Sequence, residues 1–507
     1  MWSKFLLLAP LLVTGKLLRS FDENEPVDVP DYVNVPSEEC DECKSTIDAL
    51  EMKWTNETTD AEILADLEAQ CKTLPIKERQ ICNSLVQILV QIPPGIFEGI
   101  SSLAWPVSLG LCATANKCQV NCCPANSPPE QIHLSLAGTD RSLMGVTWVT
   151  LAGTDSYVKF GVDPNDLSMR NVGSVDTYTK AGWVGVIHRA VMTGLKPATT
   201  YYYQVGADDS SGWSEIYSFT TFTPGKEINF AVIADMAYDH NSDGTVADMI
   251  ELVDQGKLDV VIHSGDISYA DGYMPHFDDF LNKVQPIAAR IPYMVTPGNH
   301  EFGYNFTAYK SRFYMPGQLD EGGSGDGMYY SWNYGAIHFC AMNSESPIDT
   351  PMFTESELSW VNYDLSNVDR TETPWVFAHF HRPFYCAKDE DCGSLLVKQG
   401  GEEVLYQNKV DVVLTAHEHT YERTYPVYNH TQQDGAPIYL LQGGSGNREG
   451  NNGNYPPLDE LPSWVAAAYN QIGFGILTQS ADGSEVSWKY IESATKNVLD
   501  SVSWVKK

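Results

Sequence analysis

Polar side chains that can bind metal ions follow a series of apolar segments in the second half of the chain. Six short β-branched runs begin near residues 228, 258, 291, 374, 410 and 436, and such runs are typical of strands buried on both faces. In sheets of such strands, ligands bind beyond the carboxyl ends. Five of the ends carry Asp, Asn, His or Tyr, which are hard to borderline metal ligands. These residues are Asp235, Asp266 with Tyr269, Asn299 with His300, His381, and His417 with His419.

Each of these residues, taken alone, also has a purely structural explanation. Asp235 could cap a turn or a helix, Asn299 could be a turn residue, and a single histidine is more often structural than a ligand. Independent caps would not supply this combination at five successive strand ends. Amphipathic stretches such as 246–253 alternate with the apolar runs, which indicates an α/β core with helices flanking stacked sheets. The sequence therefore predicts a metal site at the edge of such a core.

Length, composition and charge narrow the class of protein. A chain of 507 residues is expected to form several domains. Its 43% hydrophobic and 11% aromatic content argues against disorder. The formal net charge of −34 opposes nucleic-acid binding, because a phosphate backbone requires a basic surface. We expect no nucleic-acid partner.

The first residues are typical of a secretory signal peptide. Met1–Lys4 forms a charged start, and the apolar run Phe5–Val13 is too short to span a bilayer. We predict a signal peptide over residues 1–15. Three glycosylation sequons, at Asn56, Asn305 and Asn429, agree with passage through the secretory pathway. The expected destination is the exterior of the cell, or a lysosome or vacuole.

Eight of the 11 cysteines fall between residues 40 and 123, and this density predicts a disulfide framework. Six cysteines allow fifteen connectivities, and helical patterns at 61–69 and 81–90 lie between them. The segment 36–123 resembles a saposin B-type domain, a disulfide-rich α-helical unit. That resemblance implies contact with lipid or a membrane surface, although a role in packing against neighbouring domains is equally open. It also implies the pairs Cys40–Cys118, Cys43–Cys112 and Cys71–Cys82.

Five cysteines fall outside that framework. Cys386 and Cys392 bracket a short loop, and we expect them to pair locally. Cys122, Cys123 and Cys340 remain, so at least one thiol is free or pairs in a way that the sequence does not assign.

The middle of the chain, residues 127–223, predicts a small antiparallel β-sandwich. Alternating segments at 132–136, 144–150, 157–160, 188–192 and 200–205 are separated by turn residues at regular intervals. The stretch 194–201 resembles the corner of fibronectin type III-like domains. No chemistry is apparent there, and we expect a scaffold.

Over roughly residues 130–500 the chain resembles the purple acid phosphatases, within the calcineurin-like metallophosphoesterases. This resemblance implies a multidomain protein with a four-layer α/β metallophosphoesterase domain over residues 226–507. The likeness is carried by Asp235, Gly265–Tyr269, Gly298–Glu301, His381 and Ala416–His419, with support from 304–306, 312–316, 381–383, 421–423 and Gly443–Asn447.

The resemblance also implies a dinuclear centre and an activity. Asp266 would bridge two ions. Asp235, Tyr269 and His419 would hold Fe(III), while Asn299, His381 and His417 would hold a divalent zinc, iron or manganese ion. Hydroxide bound to the metals would attack a phosphate monoester, which makes the expected activity that of an acid phosphatase. His300 would stabilise the phosphate or protonate the leaving alkoxide.

The chain departs from the family pattern at several positions. Ala237 and Ala416 replace glycines, and the loop 386–392 lacks the paired histidines of some plant members, so substrate contacts cannot be transferred. His379 competes with His381 as the ligand, because strand alternation places both on the same side. Three further residues are weaker candidates for the pocket rim, and a surface or packing role is favoured for each of them: Lys388, Tyr273 and His276.

Two other functions remain open. One is a lipid phosphodiesterase like acid sphingomyelinase, against which Tyr269 and Ala237 argue. The other is a non-catalytic lipid-binding protein, against which the complete ligand set argues. The natural substrate, the second metal and the oligomeric state are not predicted.

Overall fold

The computed structural model describes residues 118–506 except 138–139, 209–211, 319–321, 346–350 and 390–391, together with 34–35, 37, 40–41, 43–45 and 112–113. The chain divides into two compact units. The first comprises residues 1–121, 179–183 and 271–273, and the second comprises the remainder. Several predictions lie outside the described residues: the signal peptide, the helices at 61–69 and 81–90, the Cys71–Cys82 pair and the Asn56 sequon.

In the first unit, a short antiparallel pair joins Asn34–Val35 (β1) to Gln119–Asn121 (β2). Residues 40–41, 43–45 and 112–113 are helical. Disulfides join Cys40 to Cys118 and Cys43 to Cys112, the two described pairs that the saposin resemblance implies. The saposin-like domain as a whole stays a prediction.

In the second unit, two four-stranded antiparallel sheets form the predicted β-sandwich. Their inner faces pack around Trp148, Phe160 and Tyr203. The five predicted segments are all strands, whereas β6, β7 and β11 were not predicted. β6 is largely exposed, so it lacks the alternation of apolar residues that marks a half-buried strand. The sheet orders are β3-β4-β9-β7 and β11-β10-β5-β6. Their strands are Glu130–Leu136 (β3), Met144–Thr150 (β4), Tyr157–Gly161 (β5), Met169–Val172 (β6), Ser174–Asp176 (β7), Val186–Met192 (β9), Thr200–Gly206 (β10) and Tyr217–Thr220 (β11), and the short strand Trp183–Val184 (β8) belongs to neither sheet.

The rest of the second unit contains two larger mixed sheets. All six apolar runs of the sequence form strands in them, and every residue is buried in five of the six. The sheet orders are β14-β13-β12-β24-β25-β26 and β15-β16-β17-β18-β22-β19-β23, with β20-β21 as a separate pair. The strands are Ile228–Ile233 (β12), Val260–Ser264 (β13), Tyr293–Thr296 (β14), Tyr330–Tyr334 (β15), Ile337–Ala341 (β16), Trp375–His379 (β17), Val412–Thr415 (β18), Tyr421–Thr424 (β19), Val427–Tyr428 (β20), Thr431–Gln432 (β21), Ile438–Gln442 (β22), Val465–Tyr469 (β23), Gly473–Gln479 (β24), Glu485–Glu492 (β25) and Val498–Val505 (β26).

Helices flank these two sheets. They are Asp243–Asp254 (α1), Pro275–Ala288 (α2), Gly303–Arg312 (α3), Glu355–Ser366 (α4), Ser394–Lys398 (α5) and Gly401–Gln407 (α6), with short 3-10 turns at His240–Ser242, Asn299–Glu301 and Leu458–Glu460. Within the described residues, no helix combines the length and apolar character needed to cross a bilayer.

Aromatic contacts define the order of the layers. Phe280 of α2 packs on His263 of β13, with ring centroids 5.8 Å apart. The two sheets meet face to face where Phe230 of β12 lies 5.2 Å from Phe339 of β16. Val361 of α4 joins the core on the outer face of the second sheet. The order is therefore helix, sheet, sheet, helix, which agrees with the predicted α/β arrangement.

The strand directions explain why the polar strand ends converge. β12, β13 and β14 run parallel, and so do β17, β18 and β22. Their carboxyl ends therefore lie at one edge of each sheet, and the loops that follow them reach the same region.

A buried polar network joins the sandwich to the α/β region within the second unit. Arg312 of α3 forms an ion pair with Asp278 of α2, 2.8 Å between Nη1 and Oδ1. Arg312 also donates to Gln131 of β3 at 2.8 Å and to the Tyr178 hydroxyl at 2.8 Å. Gln131 in turn donates to Asp278 at 3.0 Å. The two side chains of the ion pair are 0% and 5% exposed, so neither charge is compensated by water.

We predict that Asp278→Asn destabilises the protein by about 3–5 kcal/mol, because it leaves the Arg312 charge buried without its partner. Urea unfolding of the full chain measures the loss. Asp254→Asn is the matched control, since the Arg290–Asp254 pair is largely exposed and is expected to contribute about 0–1 kcal/mol. Equal effects of the two substitutions would contradict this account of the joint.

Candidate metal centre

The predicted ligands lie on the loops that leave the parallel strands, and several have strained backbones. A non-glycine residue with φ in the left-handed region costs about 1–3 kcal/mol and is commonly found at functional sites. Four of the predicted ligands have this conformation: Asp235 at 51°, Asp266 at 48°, Tyr269 at 52° and His417 at 72°. The fold thus stabilises an unfavourable backbone at the residues whose side chains must point inward.

Two motif glycines are required by close packing around Asp266 and His381. A Cβ at Gly298 would lie 2.2 Å from Asp266 Oδ1, and a Cβ at Gly265 would lie 2.6 Å from His381 Nδ1. Both distances are shorter than any ordinary contact. By contrast, the two departures from the family pattern, Ala237 and Ala416, are not among the residues with positive φ, so alanine is accommodated at both positions.

One group of donor atoms crowds around a single nitrogen, Nε2 of His381. Asp266 Oδ2 lies 3.0 Å from it, Asn299 Oδ1 lies 3.1 Å from it, and His417 Nδ1 lies 3.2 Å from it. One imidazole N–H cannot donate to three partners at once. Donor atoms of Asp266, His381 and His417 lie within 4.8 Å of one another, which is the spacing of ligands around one cation.

A second group surrounds the Tyr269 hydroxyl. This hydroxyl lies 2.9 Å from His419 Nε2 and 3.2 Å from Asp235 Oδ1. Asp235 Oδ1 and His419 Nε2 are 3.5 Å apart. The two groups are linked because the His417 backbone N–H donates to Asp235 Oδ2 at 3.0 Å.

The donor types of the two groups fit two different ions. A phenol and a carboxylate in the second group suit a hard trivalent ion, whereas imidazoles and an amide in the first suit a borderline divalent ion. The histidine tautomers also fit. His381 Nδ1 lies 3.1 Å from the Ser264 carbonyl and His419 Nδ1 lies 2.9 Å from the Gly450 carbonyl, so each Nδ1 donates and each Nε2 is left to face the site.

The structure distinguishes His381 from His379. His379 is buried at the end of β17 and faces Trp332, with ring centroids 6.3 Å apart. His381 lies two residues farther on and belongs to the crowded group. The loop after β17 turns only the second histidine into the site, which agrees with the choice of His381 as the predicted ligand.

Burial and mutual charge set the protonation of the site. Burial raises the pKa of Asp235. Burial opposes a charge on His381, yet the adjacent Asp266 raises the pKa of His381 to about 9. Although burial acts in the opposite direction, His381 and His300 hold the pKa of Asp266 well below its usual value. A proton on His381 therefore compensates Asp266, and cation binding must release it.

Burial, followed by the positive charges of Arg382 and His381, lowers the pKa of His417 well below its usual value. His417 is therefore neutral, the form in which imidazole binds a metal.

Glu301 connects the two loops of the site, a role that the sequence did not reveal. Its carboxylate is buried and accepts from the Ile267 backbone N–H at 2.9 Å and from the Gly298 N–H at 2.8 Å. The first loop carries Asp266 and the second carries Asn299. Glu301 is part of the Gly298–Glu301 motif, but no pattern in the sequence predicts that it joins the two loops.

His300 lies beside the metal-binding groups but outside them. Its ring packs on Tyr269, with centroids 4.2 Å apart. Nε2 lies 3.8 Å from Asp266 Oδ2 and 3.7 Å from Glu449 Oε1. Glu449, on the loop after β22, also lies 3.8 Å from His419. Sequence reasoning missed Glu449, which follows the quoted Gly443–Asn447 motif by two residues.

Arg382 lies within the His381–Pro383 motif, but no role was predicted for it from the sequence. The buried Glu345 carboxylate holds its Nε at 3.0 and 3.1 Å. Arg382 Nη1 lies 3.1 Å from His417 Nε2. No sequence signal identifies Glu345, which is far from Arg382 along the chain.

The three weaker candidates for the pocket rim do not belong to either metal-binding group. Lys388 donates to the Asn452 and Gly453 carbonyls, and His276 stacks on Tyr238 at 4.0 Å. Lys388 is exposed and therefore has a surface role, whereas the buried His276 has a packing role. Tyr273 is buried and belongs to the first compact unit.

The structure includes the predicted local disulfide and two of the three predicted glycosylation sites. Cys386 and Cys392 form a disulfide. Asn305 and Asn429 are exposed, and their glycosylation stays a prediction.

Three family models match successive parts of the chain. Residues 129–221 match the purple acid phosphatase N-terminal domain, residues 228–421 match the calcineurin-like phosphoesterases, and residues 436–501 match the iron/zinc purple acid phosphatase-like C-terminal region. The three matches follow the order of the sandwich, the main α/β region and its last strands.

Known proteins from animals and plants are similar over most of their length. Purple acid phosphatase 18 of Arabidopsis thaliana is 34% identical over 380 residues, covering 72% of this chain and 82% of the relative. Acid phosphatase type 7 of Danio rerio is 33% identical over 400 residues, covering 69% and 85%.

A solved structure shares the fold. The purple acid phosphatase PPD1 of yellow lupin (Lupinus luteus) seeds superposes with a TM-score of 0.63 at 22% identity, covering 75% of this chain and 74% of that one. Together with the family matches, the long alignments show that this chain belongs to the purple acid phosphatases, a family of calcineurin-like metallophosphoesterases.

Proposed function

We propose that this protein is a secreted or lysosomal/vacuolar acid phosphatase that hydrolyses phosphate monoesters at an Fe(III)–M(II) centre. The observation that carries the proposal is the convergence of seven predicted ligands into two linked groups, one rich in imidazole and one containing a phenol. The names of the relatives, which are acid phosphatases, support the reaction.

The two groups assign the ions to residues. Asp235, Tyr269 and His419 would hold Fe(III), Asn299, His381 and His417 would hold the zinc, iron or manganese ion, and Asp266 would serve both. When bound, such a pair of ions supplies Lewis-acid stabilisation of the phosphate ester and lowers the pKa of the attacking water. Burial is the main reason that the pKa values of Asp235 and Tyr269 are raised. The charge of Asp266 raises both further, although for Tyr269 the charge of Asp235 has the larger effect. This influence on the second group suits Asp266 to a shared position.

His300 is placed to handle the proton of the leaving group. Its ring is held by Tyr269, and its Nε2 lies in the field of two carboxylates, Asp266 and Glu449. This nitrogen lies at the edge of the metal-binding groups. We propose that His300 protonates the leaving alkoxide through Nε2.

Arg382 is our candidate for the residue that binds the phosphate of the substrate. Glu345 fixes its guanidinium by two contacts to Nε, which leaves the Nη1 edge directed at His417 Nε2. If His417 binds a metal through Nδ1, the nitrogen that faces His381, the proton of its ring must reside on Nε2. His417 Nε2 then no longer accepts from Arg382 Nη1, and a phosphate oxygen could replace it as the acceptor, a partner that suits the guanidinium geometry.

The disulfides support an oxidising compartment. Three are present among the described residues, and disulfides are rare in reducing compartments. The exposed positions of Asn305 and Asn429 leave both sequons open to glycosylation. We propose that the chain is a glycoprotein that enters the secretory pathway.

We also propose that the saposin-like segment presents the enzyme to lipid or a membrane surface. The Cys40–Cys118 and Cys43–Cys112 disulfides support the saposin resemblance on which this idea rests. The names of the relatives favour an acid phosphatase over a sphingomyelinase-like phosphodiesterase.

Asp266→Asn should reduce hydrolysis of p-nitrophenyl phosphate to background, because the amide lacks the charge that both ions require. Wild-type protein should hydrolyse this monoester at acid pH much faster than bis-p-nitrophenyl phosphate or sphingomyelin. Asp459→Asn, at an exposed position, is the control and should retain full activity. Near-normal turnover by Asp266→Asn, or a preference for either diester, would refute the proposal.

Oxidised wild-type protein should be coloured by charge transfer from the Tyr269 phenolate to iron, and Tyr269→Phe should lose this visible absorption band. Tyr363→Phe is a matched control, because Tyr363 is 68% exposed and on the surface of α4. Absorption spectra with iron determination on the same samples give the result. A colourless, iron-free and active wild-type enzyme would exclude the iron assignment.

Arg382→Ala should lower kcat/KM for p-nitrophenyl phosphate by about 10- to 100-fold, the range expected for loss of a charge-assisted hydrogen bond. Inhibition by inorganic phosphate should weaken in parallel, while the metal content stays unchanged. Arg370→Ala is the control, since Arg370 pairs with Asp411 beyond the amino end of β17. Unchanged phosphate inhibition in Arg382→Ala would remove Arg382 from the substrate site.

A further inference from the structure

Two consecutive cysteines that have no part in the proposed mechanism are buried with their sulfur atoms facing each other. Cys122 and Cys123 begin the second compact unit and are 3% and 0% exposed. Their sulfur atoms are 2.7 Å apart, closer than two unbonded sulfur atoms ordinarily pack. Neither belongs to the disulfides of the described residues. The local backbone therefore already presents the two sulfurs to each other.

From this geometry we propose that Cys122 and Cys123 are a modification site, at which the mature protein carries a disulfide between adjacent residues. The pairing would account for two of the three unassigned cysteines and leave Cys340, on β16, as a free thiol. The proposal does not depend on the phosphatase activity.

The reaction is thiol–disulfide exchange with a protein or small-molecule disulfide as the oxidant. One cysteine thiolate attacks a sulfur of the oxidant, whose S–S bond breaks and releases a thiolate. The second cysteine then attacks the sulfur of its neighbour, and the oxidant leaves as a second thiolate. The cysteine pair loses two electrons and two protons, and the oxidant is reduced to two thiols.

Three observations bear on how this pair forms and persists. A disulfide already joins Cys40 to Cys118, and Cys118 lies only four residues before Cys122, so this part of the chain folds under oxidising conditions. Burial raises the pKa of the Cys122 thiol, so exchange after folding is slow, and the pair is expected to keep the state it acquires during folding. The Cys122 backbone N–H also donates to the Val184 carbonyl at 3.0 Å, which fixes the segment.

That fixation is important because a ring between neighbouring residues is strained. Adjacent Cα atoms are about 3.8 Å apart across a trans peptide, shorter than the usual separation in a disulfide. The pair lies within electrostatic range of the buried Asp278 and Arg312. Both cysteines are buried, so their thiol hydrogens cannot bond to water. A disulfide would remove these two buried donors from beside the joint between the sandwich and the α/β region.

Differential alkylation of the full chain tests the proposal. Protein purified without reductant is treated with iodoacetamide in denaturant, then reduced, then treated with N-ethylmaleimide. Fragment spectra of tryptic peptide 118–141 report the label on each cysteine. We expect N-ethylmaleimide on both Cys122 and Cys123. Cys118 in the same peptide should carry it too, because Cys118 pairs with Cys40, and Cys340 should carry iodoacetamide.

Single serine variants separate the proposed pair from pairing with other cysteines. In Cys122→Ser, the label on Cys123 should change almost completely to iodoacetamide, and Cys123→Ser should have the same effect on Cys122. Iodoacetamide on either residue of the wild-type protein would overturn the proposal, and this readout needs no variant. A label on Cys123 that Cys122→Ser leaves unchanged would also overturn it, because Cys123 would then pair elsewhere.

Discussion

The site depends on the compensation of carboxylates that are removed from water. Asp235 and Asp266 are essentially fully buried, and a buried charge without a partner is strongly unfavourable. The donor atoms nevertheless converge, to the extent that a carboxylate oxygen, an amide oxygen and an imidazole nitrogen surround His381 Nε2 within 3.2 Å. Protons can satisfy only some of these contacts. Two cations would satisfy them all. The left-handed backbone of four of the predicted ligands is an energetic cost of the same arrangement.

The positions of the predicted ligands could be inferred from the sequence because the central strands have an unusually clear signal. Strands buried on both faces are almost wholly apolar, so the polar residue that ends each one is conspicuous. The exposed strand β6 has no such signal, and it was missed. The contact between Arg382 and Glu345 joins residues 37 positions apart through loops, and no periodicity encodes such a pair. His381 could be separated from His379 only by the path of the loop after β17.

The site also separates into predicted ligands at strand ends and other residues on the loops. The ligands lie at the ends of rigid strands, and Glu301 joins two of their loops through backbone hydrogen bonds. The residues proposed to contact substrate, Arg382 and His300, lie outside the two metal-binding groups.

The central claim is that seven side chains surround two ions that share Asp266. Elemental analysis combined with anomalous X-ray scattering at the iron edge tests it most directly. The account predicts two metal ions per chain, one of them iron beside Tyr269, with the Asp266 carboxylate between them. A fully active protein with a single ion, or with ions bound away from Asp266, would contradict it.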